Sequence, residues 1–255
     1  QKIQFELNGA DYNETLIWNS PEDIQVKPFY HKDEFTGTSK SNTKATHFQI
    51  CQNIFVHDLE KSNDRALDSI NRGAESIRFT IEDEKIELTK LLQNIDLEKI
   101  TIYFNLCFLS IDFTKKIEAL AKDKKAKIYC KHDPIGQLAK EGNWFSTKEK
   151  TNFDTLNLLS TATTNVSLIS INGSLYQNTG ANMVQQIAYS LAHANEYFNR
   201  IPKINQPIVF EIAVGTNYFF EIAKLRALRV LFNLIAKEYN HKFDCHLLVS
   251  PTKRN

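Results

Sequence analysis

Two short segments place a histidine near a side chain that could act with it, either as a catalytic base with its carboxylate or as a pair of metal ligands. In the first, His57 and Asp58 are adjacent and could act as a general base with its orienting carboxylate. Neighbouring residues of a strand point to opposite faces, however, so the pair would not naturally form that hydrogen bond. The spacing therefore favours a structural or helix-capping role for these two residues.

The second segment, CKHDP at residues 130–134, places Cys130 and His132 on one face of a strand, where they could bind a metal ion. No second pair of ligands follows at the spacing of a zinc site. Asp133 and Pro134 are more simply explained as the end of the strand and the start of the next turn. We therefore predict no metal site.

A third segment, ISINGSLYQNTGAN at residues 169–182, is an apolar run followed by a polar junction with two glycines. The pattern predicts a strand that passes into a helix. Ser174 lies at that junction but lacks the GxSxG context that exposes a nucleophilic serine on a tight turn. We do not expect Ser174 to be a nucleophile.

Composition and charge exclude several classes of protein. The chain has 255 residues, 42% of them apolar, and a formal net charge of +1. Neither nucleic acid nor an anionic membrane surface is therefore expected as the main partner. No apolar window reaches the roughly 18 residues needed to span a bilayer. The four cysteines are far apart and lie in or beside apolar runs, which is typical of reduced thiols in a cytoplasmic protein.

Short β-branched or aromatic runs alternate with longer helical patterns along most of the chain. This alternation predicts parallel strands joined by crossover helices. The candidate strands are His47 to Val56, Ser76 to Ile81, Lys99 to Leu106, Ala126 to His132, Val166 to Asn172, Ile208 to Val214 and Phe243 to Ser250. The clearest helical patterns are residues 180–200 and 217–239.

Seven such units are one short of a TIM barrel, which has eight. An open doubly wound sheet is the alternative, but no glycine-rich dinucleotide or phosphate motif follows any candidate strand. We predict an α/β fold: an incomplete TIM barrel over residues 46–255, preceded by an extended arm and a mobile loop over residues 1–45. Because unpaired strand edges invite aggregation, we expect the chain to be a fragment that lacks the eighth unit.

In a barrel, ligands bind at the carboxyl ends of the strands. The polar residues expected there are His57, Asp58, Thr80, Glu82, Asn105, His132, Asp133, Asn172 to Gln177, Gly215, Thr216 and Ser250. No arginine occurs between Arg78 and Arg200, so the middle strands offer no guanidinium for an anionic substrate.

Four segments resemble the methylmalonyl-CoA mutase family in the same order along nearly the whole chain. They are IQVKPFY in the arm, GAESIRF before the second strand, ING followed by YQNTGA after the fifth, and GTNYFFEIAKLRALRVLF near the C-terminus. The resemblance implies a TIM barrel that threads a coenzyme A ester through its centre, followed by a cobalamin-binding domain. It also implies a radical rearrangement between (R)-methylmalonyl-CoA and succinyl-CoA, for which adenosylcobalamin supplies the radical.

The sequence departs from the catalytic chains of this family where they carry Gly-Tyr-His at the end of the fifth strand. Gly173, Gln177 and Gly180 match the family pattern, but Ser174 and Leu175 occupy the Tyr and His positions. Leucine cannot donate a hydrogen bond to a thioester carbonyl. We therefore predict no catalytic residue, and expect the strand-end positions Asp133, Asn172, Gly173, Gln177 and Gly180 to keep only the shape of a pocket.

Four further features agree with this interpretation. The region FTGTSKSNTKAT lacks the tyrosine of the family's Arg-Gly-Pro-Tyr loop, and the family's substrate-binding arginine between the fourth and fifth strands is missing. HDPIG, at residues 132–136, resembles the Asp-Pro-Leu-Gly usual in small subunits of heterodimeric mutases. The family's cobalamin-binding domain, with its Asp-x-His-x-x-Gly loop, is absent from these residues.

The resemblance thus implies a small, non-catalytic subunit that supports a catalytic large subunit in a heterodimer and binds no cofactor itself. Adenosylcobalamin would be held by the partner subunit, and the isolated fragment could also form a homodimer. Two alternatives stay open: an active acyl-CoA mutase or isomerase, and a coenzyme A-binding module without catalysis. Phe219, Phe220 and Phe232 are candidates for the contact with the large subunit, although a buried helix face would explain them equally well.

Overall fold

The computed structural model describes residues 2–37 and 47–254, without the side chain of Gln4. Most of the loop predicted to be mobile, residues 38–46, lies outside the described residues. Within the described chain, no helix is both long enough and apolar enough to cross a membrane.

Residues 2–37 form an arm in which extended chain alternates with short helical turns. Its elements are α1 (Lys2–Glu6), α2 (Tyr12–Leu16), β1 (Trp18–Asn19), β2 (Gln25–Val26) and a 3-10 helix (Lys32–Glu34). β1 and β2 pair as an antiparallel ribbon. The ribbon packs on the main domain, since Trp18 stacks on Phe220 at 5.6 Å and the Asn182 side chain donates to the carbonyl of Pro21 at 2.9 Å.

The main domain alternates strands and helices, as predicted. Its strands are β3 (Cys51–Phe55), β4 (Ser76–Ile81), β5 (Thr101–Leu106), β6 (Ile128–His132), β7 (Val166–Asn172), β8 (Val209–Val214) and β9 (His246–Pro251). Its helices are α3 (Leu59–Asn71), α4 (Leu88–Leu91), α5 (Ile111–Lys124), α6 (Pro134–Glu141), α7 (Glu149–Ala162), α8 (Gly173–Asn178), α9 (Met183–Arg200) and α10 (Tyr218–Glu238).

The seven strands lie in one parallel sheet in chain order, β3 to β9, with helices between them. The sheet curls into a half-barrel, because side chains of strands that are not neighbours meet on its concave face. Tyr103 of β5 contacts His246 of β9 at 2.7 Å, and Arg78 of β4 contacts Glu211 of β8 at 2.9 Å. The predicted incomplete TIM barrel is confirmed.

The ends of the first and last barrel strands differ from prediction. The strand predicted from His47 begins only at Cys51, because Cys51 pairs with Ser76, where β4 itself begins. The last strand begins at His246, which pairs with Val209 at the start of β8, and it runs one residue beyond the predicted end to Pro251. In both cases pairing with the neighbouring strand decides where the strand begins and ends, more than the β-propensity of its own residues.

Along each strand, successive side chains point to opposite faces of the sheet, and the two faces differ in polarity. In β4, Ile77, Phe79 and Ile81 are fully buried on the convex face, against the helices. Arg78 and Thr80 point to the concave face, where they contact other polar side chains. The apolar core thus lies between sheet and helices, and the interior of the curled sheet is polar.

Candidate functional site

At the strand-to-helix junction at Asn172, the polar side chains form hydrogen bonds with other residues of the junction itself. β7 ends at Asn172, and α8 begins at the next residue. The Asn172 carboxamide oxygen caps α8, accepting from the Leu175 backbone N–H at 3.2 Å and from the Ser174 hydroxyl at 2.7 Å. The side chain of Leu175 is partly buried and has no polar atom. Ser174 and Leu175 therefore present no free hydrogen-bond donor from their side chains.

Gly173 is required by a close approach of three elements. A Cβ added there would lie 2.3 Å from the Ser190 hydroxyl and 3.0 Å from the carbonyl of Glu211. The Gly173 carbonyl also accepts from the side chain of Gln186 at 3.0 Å. Gly180, which follows α8, has φ +128°, a conformation that other residues rarely adopt. Both glycines thus hold the shape of the junction.

Asp133 is the centre of a buried hydrogen-bond cluster, which we call the strand-end cluster: Asp133, Asn172, Tyr176, His193 and Tyr197. One Asp133 oxygen accepts from the Gly136 N–H at 2.8 Å and the Tyr197 hydroxyl at 2.6 Å, and lies 2.9 Å from His193 Nε2. The other oxygen accepts from the Asn172 N–H at 2.8 Å. One carboxylate thereby joins β6, β7, α6 and α9.

The electrostatics of this cluster favour an ionised Asp133. Burial by itself would raise the pKa of Asp133, but the nearby His193 and the hydrogen bonds from His193, Tyr197 and Gly136 hold it below its usual value. The hydroxyl of Tyr176 lies 3.0 Å from His193 Nδ1. Burial also raises the pKa of Tyr176 to about 12.

Gln177 connects the junction to α10. Its side-chain oxygen accepts from Lys224 Nζ at 3.2 Å. Lys224 also donates to the Ala213 carbonyl at 2.6 Å and pairs with Glu221 at 2.5 Å, and Glu221 accepts from the Gly215 N–H at 2.7 Å. Glu221 and Lys224 are one turn apart on α10 and are both buried, and burial lowers the pKa of Lys224.

A second polar group, the interior cluster, fills the concave side of the sheet: Arg78, Asn105, Lys131 and Glu211. Glu211 contacts Arg78 Nη1 at 2.9 Å through one oxygen and Lys131 Nζ through the other. Lys131 also donates to the Asn105 side chain at 3.3 Å. Burial lowers the pKa of Lys131, against the opposite influence of Glu211.

Aromatic rings occupy the interior beside this cluster. Tyr103 and Tyr129 stack with ring centres 5.0 Å apart, and His246 stacks on Tyr129 at 4.3 Å. Burial lowers the pKa of His246 to about 4 and raises that of Tyr103. His246 is therefore neutral near pH 7, and bulky rings take up space along the barrel axis.

The other candidates from the sequence have structural roles. Asp58 caps α3 by accepting from the Lys61 N–H at 2.9 Å, as expected for a helix-capping residue. Cys130 and His132 are fully buried on the convex face, and burial lowers the pKa of His132 to about 4. Asp133 and Pro134 form the N-cap and first turn of α6. In the described part of the chain, no cluster of His, Cys, Asp or Glu could hold a metal ion.

Sequence reasoning missed the interior cluster. Its charged members stand alone inside otherwise apolar strands, as in SIRFTI, IYCKH and VFEIAV. That pattern was a usable signal, because an isolated charge in a buried parallel strand needs a partner across the sheet.

The three phenylalanines proposed for a partner contact separate into different environments. Phe219 is 79% exposed, next to Tyr218, which is 70% exposed. Phe220 is covered by Trp18 of the arm, and Phe232 is fully buried in the core. Only Phe219 of the three is available to a partner.

Comparison with known proteins agrees with the resemblance. A family model described as methylmalonyl-CoA mutase matches residues 80–249. The methylmalonyl-CoA mutase small subunit of Porphyromonas gingivalis is 26% identical over 275 residues, covering 95% of this chain and 44% of that protein. The human mitochondrial methylmalonyl-CoA mutase is 25% identical, covering 96% of this chain and 40% of that protein.

A methylmalonyl-CoA mutase large subunit from Streptomyces virginiae is 35% identical over 81 residues, covering 29% of this chain and 11% of that protein. The chain thus spans less than half the length of these relatives. Because the family model matches about two thirds of the chain, on the barrel strands and the junction described above, the chain belongs to the methylmalonyl-CoA mutase family.

Proposed function

We propose that this chain is the barrel part of a non-catalytic small subunit, which supports a catalytic large subunit in the adenosylcobalamin-dependent interconversion of methylmalonyl-CoA and succinyl-CoA. The observation that carries the proposal is the pair Ser174 and Leu175 at the junction after β7. The hydroxyl of Ser174 is bonded to the α8 cap, and Leu175 has no polar side-chain atom. Neither can polarise a thioester carbonyl.

The barrel interior supports catalytic silence independently. Threading a coenzyme A ester, as the family resemblance implies, needs an open path along the barrel axis. Here the stacked rings of Tyr103, Tyr129 and His246 and the ion pairs of Glu211 lie on the concave face. These side chains are held by contacts across the sheet, so moving them aside would break buried hydrogen bonds.

The residues at the strand ends do not fit adenosylcobalamin. In the strand-end cluster the histidine beside the carboxylate is His193 of α9, whose side chain is only 1% exposed. A corrin ring cannot reach a nitrogen buried in this way. We therefore assign the cofactor to the partner and derive no step through it on this chain.

Partner binding is supported by the similarity to a mutase small subunit and by exposed aromatic rings. Tyr218 and Phe219 begin α10 and project into solvent. Large exposed rings side by side are typical of protein contacts. We expect Phe219→Ser to weaken copurification with the large subunit, whereas Phe5→Ser, which removes an equally exposed ring from α1, should not.

Turnover provides the decisive test. The complete small subunit, coexpressed with its large subunit, should be needed for full mutase activity. The Ser174→Tyr/Leu175→His double variant should leave the activity of the complex unchanged, because the stacked rings and ion pairs would still fill the barrel interior. Isomerisation of methylmalonyl-CoA by the small subunit alone with added adenosylcobalamin, or a gain of activity in the double variant, would show that the chain is an enzyme.

A further inference from the structure

The chain contains two Asn-Gly pairs, Asn8-Gly9 in the arm and Asn172-Gly173 at the junction after β7. Asparagine is chemically labile, because the backbone nitrogen of the next residue can attack its carboxamide carbon. Glycine in the second position hinders this attack least, since it has no Cβ and adopts a wide range of backbone conformations. The two pairs are identical in sequence, so a difference in their reactivity must come from the structure around them.

The first pair, Asn8-Gly9, lies in an open turn after α1. Both residues are exposed, and nothing lies within 4 Å of the place that a Cβ on Gly9 would take. Both have positive φ, 48° for Asn8 and 88° for Gly9, which is not the conformation of a right-handed helix or a strand. The surroundings therefore leave the Asn8 carboxamide room to rotate toward the backbone.

The hydrogen bonds of this turn do not use the nitrogen that would react. The Asn8 N–H donates to the Phe5 carbonyl at 3.2 Å, and the Ala10 N–H donates to the Leu7 carbonyl at 2.9 Å. Within the described chain, no hydrogen bond engages the Gly9 N–H or the side chain of Asn8. The attacking nitrogen and the carboxamide are thus both unrestrained by hydrogen bonds.

The second pair, Asn172-Gly173, is restrained through both residues. The Asn172 N–H donates to Asp133 at 2.8 Å, and the Asn172 carboxamide oxygen accepts from the Leu175 N–H at 3.2 Å. Gly173 is buried in the first turn of α8, where an added Cβ would overlap the Ser190 hydroxyl. Attack by the Gly173 nitrogen would require the α8 cap to break inside a packed junction.

We infer that Asn8 is a site of spontaneous deamidation in the folded chain, whereas Asn172 is protected. The Gly9 nitrogen forms a bond to Asn8 Cγ, the Cγ–Nδ2 bond breaks, and the NH2 group leaves as ammonia with the Gly9 amide proton. Water then opens the five-membered imide. Cleavage at Cγ gives aspartate, and cleavage at the backbone carbonyl carbon gives isoaspartate, whose main chain passes through the side chain.

The modification replaces a neutral carboxamide by a carboxylate and so adds one negative charge to the arm. It would bring the formal net charge of the chain from +1 to zero. Proteins without net charge associate and precipitate more readily. The inference does not depend on the proposed function, because it concerns the arm and needs only water as a reactant.

The test is a timed incubation of the folded chain in mildly alkaline buffer, which favours loss of the Gly9 amide proton. Peptide mapping by mass spectrometry follows the mass gain that accompanies replacement of NH2 by OH. The Asn8 peptide should convert to products that include an isoaspartate labelled by isoaspartate methyltransferase. The Asn172 peptide should convert at least about tenfold more slowly, because the junction must open before it reacts.

A third asparagine separates exposure from the effect of glycine. Asn94 is exposed and has φ 61°, but the next residue is Ile95, whose N–H donates to the Leu92 carbonyl at 3.2 Å. Its peptide should stay unmodified over the same period. In urea, where the folded contacts are lost, Asn172 should react at a rate similar to that of Asn8.

Variants of the arm confirm the assignment. Asn8→Gln should abolish the modification of this peptide, since the longer side chain closes a less favourable ring. Gly9→Ala should slow it by about tenfold, because the added methyl group restricts the backbone. Both changes lie in an exposed turn, away from the barrel core.

Three results would overturn the inference. One is an unmodified Asn8 in the folded chain after Asn172 has converted in urea over the same period. Another is an equal rate at Asn8 and Asn172 in the folded chain, which would mean that the junction gives no protection. The third is continued modification of the arm peptide in Asn8→Gln, which would place the reaction on another residue.

Discussion

The strand-end cluster and the interior cluster are each built around one buried carboxylate, but the carboxylates have different partners. Asp133 accepts from two backbone N–H groups and a tyrosine hydroxyl, and it lies 2.9 Å from His193 Nε2. Glu211 of β8 faces two cations, Arg78 of β4 and Lys131 of β6. The first carboxylate is held by hydrogen-bond donors, and the second is held by ion pairs across the concave face.

This difference indicates separate roles for the two regions. The strand-end cluster ties β6, β7, α6 and α9 together at the junction after β7. The interior cluster joins β4, β5, β6 and β8 across the concave face. The first therefore fixes how helices meet the strand ends, and the second fixes the curl of the sheet.

The largest effect should come from breaking the strand-end cluster. Asp133→Ala leaves His193, Tyr197 and the N–H groups of Gly136 and Asn172 without their acceptor in a buried site. We expect a loss of roughly 3–5 kcal/mol in the free energy of unfolding, measured with urea.

Asp58→Ala is the matched control, because Asp58 caps a helix through one exposed hydrogen bond. It should cost only about 1 kcal/mol, the usual value of an N-cap. If Asp133→Ala and Asp58→Ala lost the same free energy of unfolding, the buried partners of Asp133 would add no stability beyond that of a helix cap.

As the pH falls, the contribution of His246 to the free energy of unfolding should be lost before that of Asp133. The folded pKa of His246 is about 4, below the value of about 6.5 for a free histidine. Its contribution to stability is therefore complete above about pH 6.5 and is lost as the pH falls toward 4, with a limit of about 3 kcal/mol. The folded pKa of Asp133 is also lowered, so its contribution is lost only below about pH 4.

Urea unfolding at a series of pH values measures this order. His246→Gln should flatten the decline between pH 6.5 and 4 only in part, since His132 has a similarly lowered pKa and loses its contribution over the same range. An unchanged slope in His246→Gln would show that the interior histidine does not titrate in this way.

A smaller effect is expected from Gly173→Ala, which tests the contact between the two regions. The new methyl group would overlap the Ser190 hydroxyl and approach the carbonyl of Glu211. Overpacking of this kind costs about 1–3 kcal/mol. Adding Ser190→Ala should recover part of the loss.

Gly215→Ala is the control for that variant, at the same edge of the sheet. Its added Cβ would lie 3.4 Å from the nearest atom, Glu221 Oε1, and its φ is not in the positive region. We expect little change in the free energy of unfolding. A larger loss in Gly215→Ala than in Gly173→Ala would contradict the packing described here.

Much of the fold could be predicted from the sequence because the strands are buried on the helix side. Val166–Asn172 and Ser76–Ile81 were predicted to the residue, since apolar runs with clear flanking turns mark their ends. The ends of Cys51–Phe55 and His246–Pro251 were not, because edge strands take their limits from one neighbour.

The candidate site was predictable only in part. Gly173, Asn172 and Asp133 were found at strand ends, where polar residues and glycine interrupt apolar runs. His193 lies inside the helical pattern predicted for residues 180–200, and nothing local shows that α9 carries it to Asp133. The prediction that the strand-end positions keep the shape of a pocket without catalysis still awaits the turnover experiment.

The sequence by itself determined the alternation of strands and helices and the family. Only the tertiary structure decided how the isolated charges in the strands are paired. Arg78 and Glu211 are 133 positions apart in the chain, and the curl of the sheet brings them to 2.9 Å. Such pairing depends on the summed twist of all the strands between them, which no local pattern of residues records.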